Sequence, residues 1–67
     1  MIYCEETVNI LLKNYLDGRD KKTAIEEIKG TISNERLWLK GASSKEEKAM
    51  HEENITNLSE CLNRLTA

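Results

Sequence analysis

The segment 34–47, Asn-Glu-Arg-Leu-Trp-Leu-Lys-Gly-Ala-Ser-Ser-Lys-Glu-Glu, limits the possible folds more than any other stretch. It reads as a helix that stops and another that starts. Gly41 is the residue type that takes the left-handed conformation ending a helix, and Lys40 puts a cation at the negative end of the helix dipole. Ser44 and Glu47 have the S-x-x-E spacing of a capping box, and Ser43 with Glu46 repeats that spacing one residue earlier. A stop and a start this close together imply an αα-hairpin.

Both arms of the hairpin carry an apolar stripe that changes character towards the tip. In the arm before Gly41, over 21–40, Ile25, Ile28, Ile32 and Leu39 recur at heptad spacing, with Glu35 where another apolar residue belongs. In the arm after it, over 44–65, His51, Ile55, Leu58, Leu62 and Leu65 form the stripe, with Met50, Asn54 and Cys61 on its margins. Antiparallel pairing sets Glu35 and Arg36 near Met50 and His51, Ile32 near Asn54 or Ile55, and Ile28 near Leu58. The open end is aliphatic. The tip gathers Glu35, Trp38, His51 and Asn54.

Upstream, Cys4, Val8, Leu11, Leu12 and Tyr15 define an amphipathic helix over 1–16, with Ile10 off the stripe. Gly18 is its expected C′ residue, and Asp20 or Thr23 caps the second helix. Gly30, within that second helix, signals a close backbone approach or a break. A break there would divide 23–40 into a helix-turn-helix, but a recognition helix with Glu35 near its start and no surplus of cations is poorly equipped for phosphates or bases. An up-down-up arrangement places Cys4 near Asn34 or Glu35 and Cys61 near Ile25, too far apart for a disulfide, so free thiols are expected. Neither has a neighbouring His to activate it.

Composition matters for partners. At 67 residues, 39% of them hydrophobic and none Phe, the core is small enough that self-association is expected. Charged residues make up 33% yet leave a net charge of -2, which supplies no general attraction for nucleic acid or anionic lipid. The start of the chain has no signal-peptide pattern and no apolar run reaches the ~20 residues of a membrane span, so the expected location is the cytosol. The single His rules out motifs that need two, no phosphate loop, nucleophile elbow, zinc-finger spacing or calcium loop is present, and Glu47 with His51 at i and i+4 are too few ligands for a metal site. Neither cofactor nor metal is expected.

Those residues leave the tip as the candidate site. Trp38 offers a stacking surface, Arg36 and Lys40 offer cations, and Glu35, His51 and Asn54 offer directional hydrogen bonds, a set of parts suited to a nucleotide. In the competing assignment Trp38 caps the core, Glu35 bonds His51, and Asn54 sets the register of an oligomer. Glu46, Glu47, Glu52, Glu53 and Glu60 supply the acidic faces that either solvate a helix or imitate nucleic-acid charge to a basic protein.

Asn34-Glu35-Arg36-Leu37-Trp38, Gly41 and His51-Glu52-Glu53-Asn54-Ile55 resemble the hairpins of small helical proteins of phages and prophages in Gram-positive hosts. In outline, a short helix before a longer hairpin, the chain is also similar to phage proteins that sequester cyclic-nucleotide immune signals between subunits. Other small acidic phage proteins, anti-CRISPR proteins among them, inhibit host nucleases directly.

The sequence thus predicts one all-α domain over 1–67, a short N-terminal helix packed on a longer antiparallel hairpin, assembled as an oligomeric bundle. The expected function is non-enzymatic phage counter-defence, withholding a small nucleotide-like signal through Glu35, Arg36, Trp38, Lys40, His51 and Asn54. Inhibition of a host defence nuclease, or a structural adaptor role, is the alternative. No duplex DNA or membrane partner is expected.

Overall fold

The structure is a computed structural model that describes residues 2–67. Its helices are α1 (Glu5–Leu16), α2 (Lys21–Gly41) and α3 (Lys45–Thr66). The all-α hairpin with a shorter helix laid on it is as the sequence predicts. Expected helical residues 2–4 are not helical; Met1 lies outside the described residues. The later start has a tertiary cause. Cys4 is the N-cap without a side-chain cap bond, and its backbone N–H donates instead to Asn57 Oδ1 of α3 at 2.8 Å. Val8 N–H then closes the first turn on the Cys4 carbonyl.

Helix α1 ends as its residues dictate. Gly18 turns at φ 67, Arg19 N–H donates to the Leu16 carbonyl, and the Arg19 guanidinium reaches the carbonyls of Asn14 and Tyr15. Asp20, rather than Thr23, caps α2 by accepting from Thr23 N–H at 2.8 Å.

Gly30 breaks nothing. α2 continues through it, and a Cβ built there meets no atom within 4 Å, so neither the close approach nor the helix-turn-helix holds. Ile28 and Ile32, both buried, tie the helix to the core on either side of this exposed glycine.

At the tip, Gly41 is the last helical residue and has no positive φ, contrary to the expected left-handed stop. The reversal is made by extended residues: Ala42 has φ -68 and ψ 134, and Ser44 has φ -123 and ψ 161. Ser44 Oγ accepts from Glu47 N–H at 3.1 Å, while the Glu47 carboxylate accepts from Ser43 N–H rather than from that of Ser44. The Ser44 half of the capping box closes as expected, and only the return bond is displaced by one residue.

The core comprises Val8, Ala24, Ile28, Ile32, Leu58, Cys61 and Leu65, with Leu11, Leu12, Tyr15, Ile25, Ile55 and Leu62 packed around it. α1 begins against α3, where Cys61 Sγ donates to the Val8 carbonyl, and ends against α2, where Tyr15 O–H donates to Thr31 Oγ1 at 3.0 Å. Cys4 therefore sits by Asn57, not by Asn34 or Glu35, while Cys61 reaches Val8 from within the core cluster against which Ile25 packs. This oblique course rotates the buried face of α3 towards Asn57 and Cys61 and leaves Ile55 and Leu62 half-buried. Both thiols are free.

Arg64 fastens the start of α1. Its guanidinium contacts both Glu5 carboxylate oxygens at 2.6 and 2.9 Å, reaches Glu60 at 2.9 Å, and lies over the Tyr3 ring at 5.5 Å from the centroid. The hydrogen bonds from Arg64 hold the Glu5 carboxyl below its usual range.

Candidate functional site at the hairpin tip

Glu35 is the organising residue of the tip. It occupies the apolar stripe of α2, is only 7% exposed, and so needs partners for its carboxylate. His51 Nδ1 lies 2.6 Å from Glu35 Oε2, and Asn54 Nδ2 donates to the same oxygen at 3.4 Å. With carboxylate as acceptor, the short contact requires the proton on Nδ1, which leaves the Nε2 edge of the imidazole as the unengaged one. Among the described residues no buried side-chain nitrogen or oxygen lacks a partner.

Trp38 stands beside this network. Its ring centroid is 6.0 Å from that of His51, with the planes at 44°, yet the residue is 57% exposed. Glu35 fixes His51, and His51 in turn supports one side of the indole. The register expected from sequence brings Glu35, Trp38, His51 and Asn54 together, and they meet here.

Arg36 and Lys40 do not join them. Successive helical residues rotate by about 100°, so from Glu35, which points at α3, Trp38 and Thr31 turn to one side while Arg36, Leu39 and Lys40 turn to the other. Trp38 shares its side with α1, which packs on Thr31 and Asn57. Arg36 instead lines an open groove of about 360 Å3 with Leu39, Glu52, Ile55 and Thr56. The stacking surface and the cations of one chain thus lie on opposite sides of the α2/α3 seam.

Two other large apolar side chains near the tip are exposed. Leu37 is 65% exposed, and Met50, on the same side of the seam as Trp38, is 51% exposed. Helical rotation makes both legible, but Leu37 fits no apolar stripe and so gives no signal of its own in the sequence. Asn57, 2% exposed, is the other residue the stripes miss, since its partner is the start of α1 rather than α2.

The cysteines differ in reactivity. The polar groups of Thr7, its side chain first and its backbone second, face the exposed Cys4 thiol and hold it below its usual range. Burial pushes the Cys61 thiol up. Among the described residues no group of three or more His, Cys, Asp or Glu is placed to hold a metal ion, and no helix is long and apolar enough to cross a membrane.

Comparison with protein-family models, curated proteins and solved structures found no match to the chain.

Proposed function

We propose that the chain acts without catalysis, as a phage counter-defence protein that docks the tip of its α2/α3 hairpin on a host defence enzyme and inhibits it. The observation that carries this reading is Trp38: a large apolar side chain more than half exposed, held in place by His51 and Glu35, with Leu37 and Met50 also exposed near the tip. Rigid Trp anchors ringed by apolar contacts are what protein interfaces use to concentrate binding energy. His51 Nδ1 and the Asn54 amide nitrogen are both turned to Glu35, which uses them to hold the tip together. The phage setting comes from the sequence resemblance of the hairpin.

The test is capture from host lysate with the wild-type chain and with Trp38→Ala, which removes the anchor without touching the buried network. A stoichiometric protein partner retained by the first and lost by the second supports the reading. Equal retention by both defeats it.

A second reading, sequestration of a small nucleotide-like signal, is favoured by the accessible indole face beside His51. Because Arg36 and Lys40 face away from Trp38, such a site needs a neighbouring copy to bring cations over the stacked base. It therefore requires a homo-oligomer. Titration calorimetry of the native assembly against a panel of cyclic nucleotides, beside a native mass measurement, tests both parts; a monomer that gives no heat rejects it.

A further inference from the structure

The side of the hairpin opposite α1 has a chemistry of its own. Rotating from the α2/α3 seam, Ile25 and Leu39 of α2 and Ile55 and Leu62 of α3 turn to this side, and all are half-buried with no helix over them. They form an apolar floor that runs from Ile25 to Leu39, about 21 Å at the helical rise, or roughly four turns. The rim is cationic. Lys29, Arg36 and Lys40 of α2 and Lys45 and Lys48 of α3 turn to this face, against the single carboxylate of Glu52. None of these cations is in an ion pair; among the described residues the Lys and Arg ion pairs are made by Arg19 and Arg64. A chain with net charge -2 thus concentrates positive charge where its hairpin is uncovered.

We infer that this face docks an acidic amphipathic helix of a partner protein. The floor is aliphatic and as long as a short helix, and a groove between two packed helices accepts a third by the same ridge-and-groove packing that seats α1 on the other side. α1 is itself such a ligand: Val8 enters the seam and Glu5 of its acidic first turn is gripped by Arg64. Charge selects the occupant. A second copy docked face to face would set one cationic rim against another, and bare nucleic acid would find no aromatic ring among these floor residues on which to stack a base. An apolar stripe bordered by Asp and Glu satisfies both floor and rim.

This surface is separate from the Trp38 patch, so its test separates the two proposals. A displayed library of random helical 18-residue peptides is panned against the full chain, with a charge-reversed chain carrying Arg36→Glu and Lys48→Glu as counter-target. Enriched peptides should be acidic, with apolar residues at i, i+3 or i+4, and i+7. Their fluorescence-anisotropy affinity should fall at least about tenfold on charge reversal and weaken with added salt, and should be unchanged in Trp38→Ala. Lys29→Glu with Lys40→Glu provides a second reversed chain should the first lose its helical circular dichroism. No enrichment over the reversed chains, enrichment of neutral or basic peptides, or a native dimer that charge reversal splits would each overturn the inference.

Discussion

At the open end of the hairpin, Ile28, Leu58 and Cys61 form one dry cluster under Val8 of α1. Near the tip, the same stripe of α2 presents Glu35, and its partners across the seam are His51 and Asn54. One end is held by area removed from water, the other by a charge that must be matched. Apolar burial tolerates small shifts in register, whereas a carboxylate 2.6 Å from an imidazole does not. The tip therefore fixes which turn of α2 meets which turn of α3, and the open end supplies cohesion. Trp38 is the exposed side chain presented beside that buried carboxylate, its ring 6.0 Å from that of His51.

The contrast is tested most severely at His51. His51→Ala leaves the Glu35 carboxylate buried with only the longer Asn54 bond, and should cost about 1–3 kcal/mol. In a domain of this size that lowers the melting temperature by about 4–8 °C per kcal/mol. Glu35→Leu with His51→Leu removes both partners and should fold within about 1 kcal/mol of the parent or more stably, since replacing a buried pair by apolar residues is often neutral. Thermal unfolding of the parent, Glu35→Leu, His51→Leu and the double variant gives the coupling. A harmless His51→Ala would place the pair outside the stability of the tip.

Much of this is legible from the residues. Glu35 breaks an otherwise apolar heptad stripe, and pairing the arms across the turn brings it to His51 because the periodicity of both helices is strong. What cannot be read is where α1 lies. The sequence carries its apolar face but not its crossing angle, so Asn57 and Cys61 look marginal and Cys4 is placed beside the wrong neighbours. Gly41 misleads for a different reason: a glycine at a helix end permits a left-handed turn but does not require one, and a short connection with Ala42 and Ser44 extended reverses the chain. The cationic face is hidden by the near-neutral total charge.

Asn57 joins α1 to α3, since its buried amide oxygen accepts the Cys4 N–H where α1 begins. Asn57→Ala should cost about 1–2 kcal/mol and free the start of α1. Hydrogen exchange at the Cys4 amide should accelerate while the α2/α3 core amides keep their order of protection; uniform acceleration would mean that α1 is not separable from the hairpin.

The glycines offer a smaller, signed comparison. Gly30 is helical with open space for a methyl group, so Gly30→Ala should gain about 0.5–1 kcal/mol. Gly41→Ala, at the helix end, should gain less. Gly18→Ala should instead lose about 1 kcal/mol, because only this glycine, among the described residues, sits at positive φ. Urea midpoints of the three variants check the order, and a destabilised Gly41→Ala would restore the left-handed stop at the tip.

The smallest effect is the response to acid, and it belongs to the open end. The Glu5 carboxyl is lowered by hydrogen bonds from Arg64, and the Asp20 carboxyl by those from Thr23 as it caps α2. A carboxyl lowered in the folded state stabilises fully above its unfolded value, and that contribution fades as pH falls through the lower folded value. Stability should therefore decline on acidification below the ordinary carboxylate range. Both groups are exposed and screened by salt, so the decline should be shallow and smaller still at high ionic strength. Replacing Glu5 by Gln and Asp20 by Asn should flatten the acid limb of the urea midpoint plotted against pH. If the limb persists unchanged in that double variant, the acid response originates elsewhere.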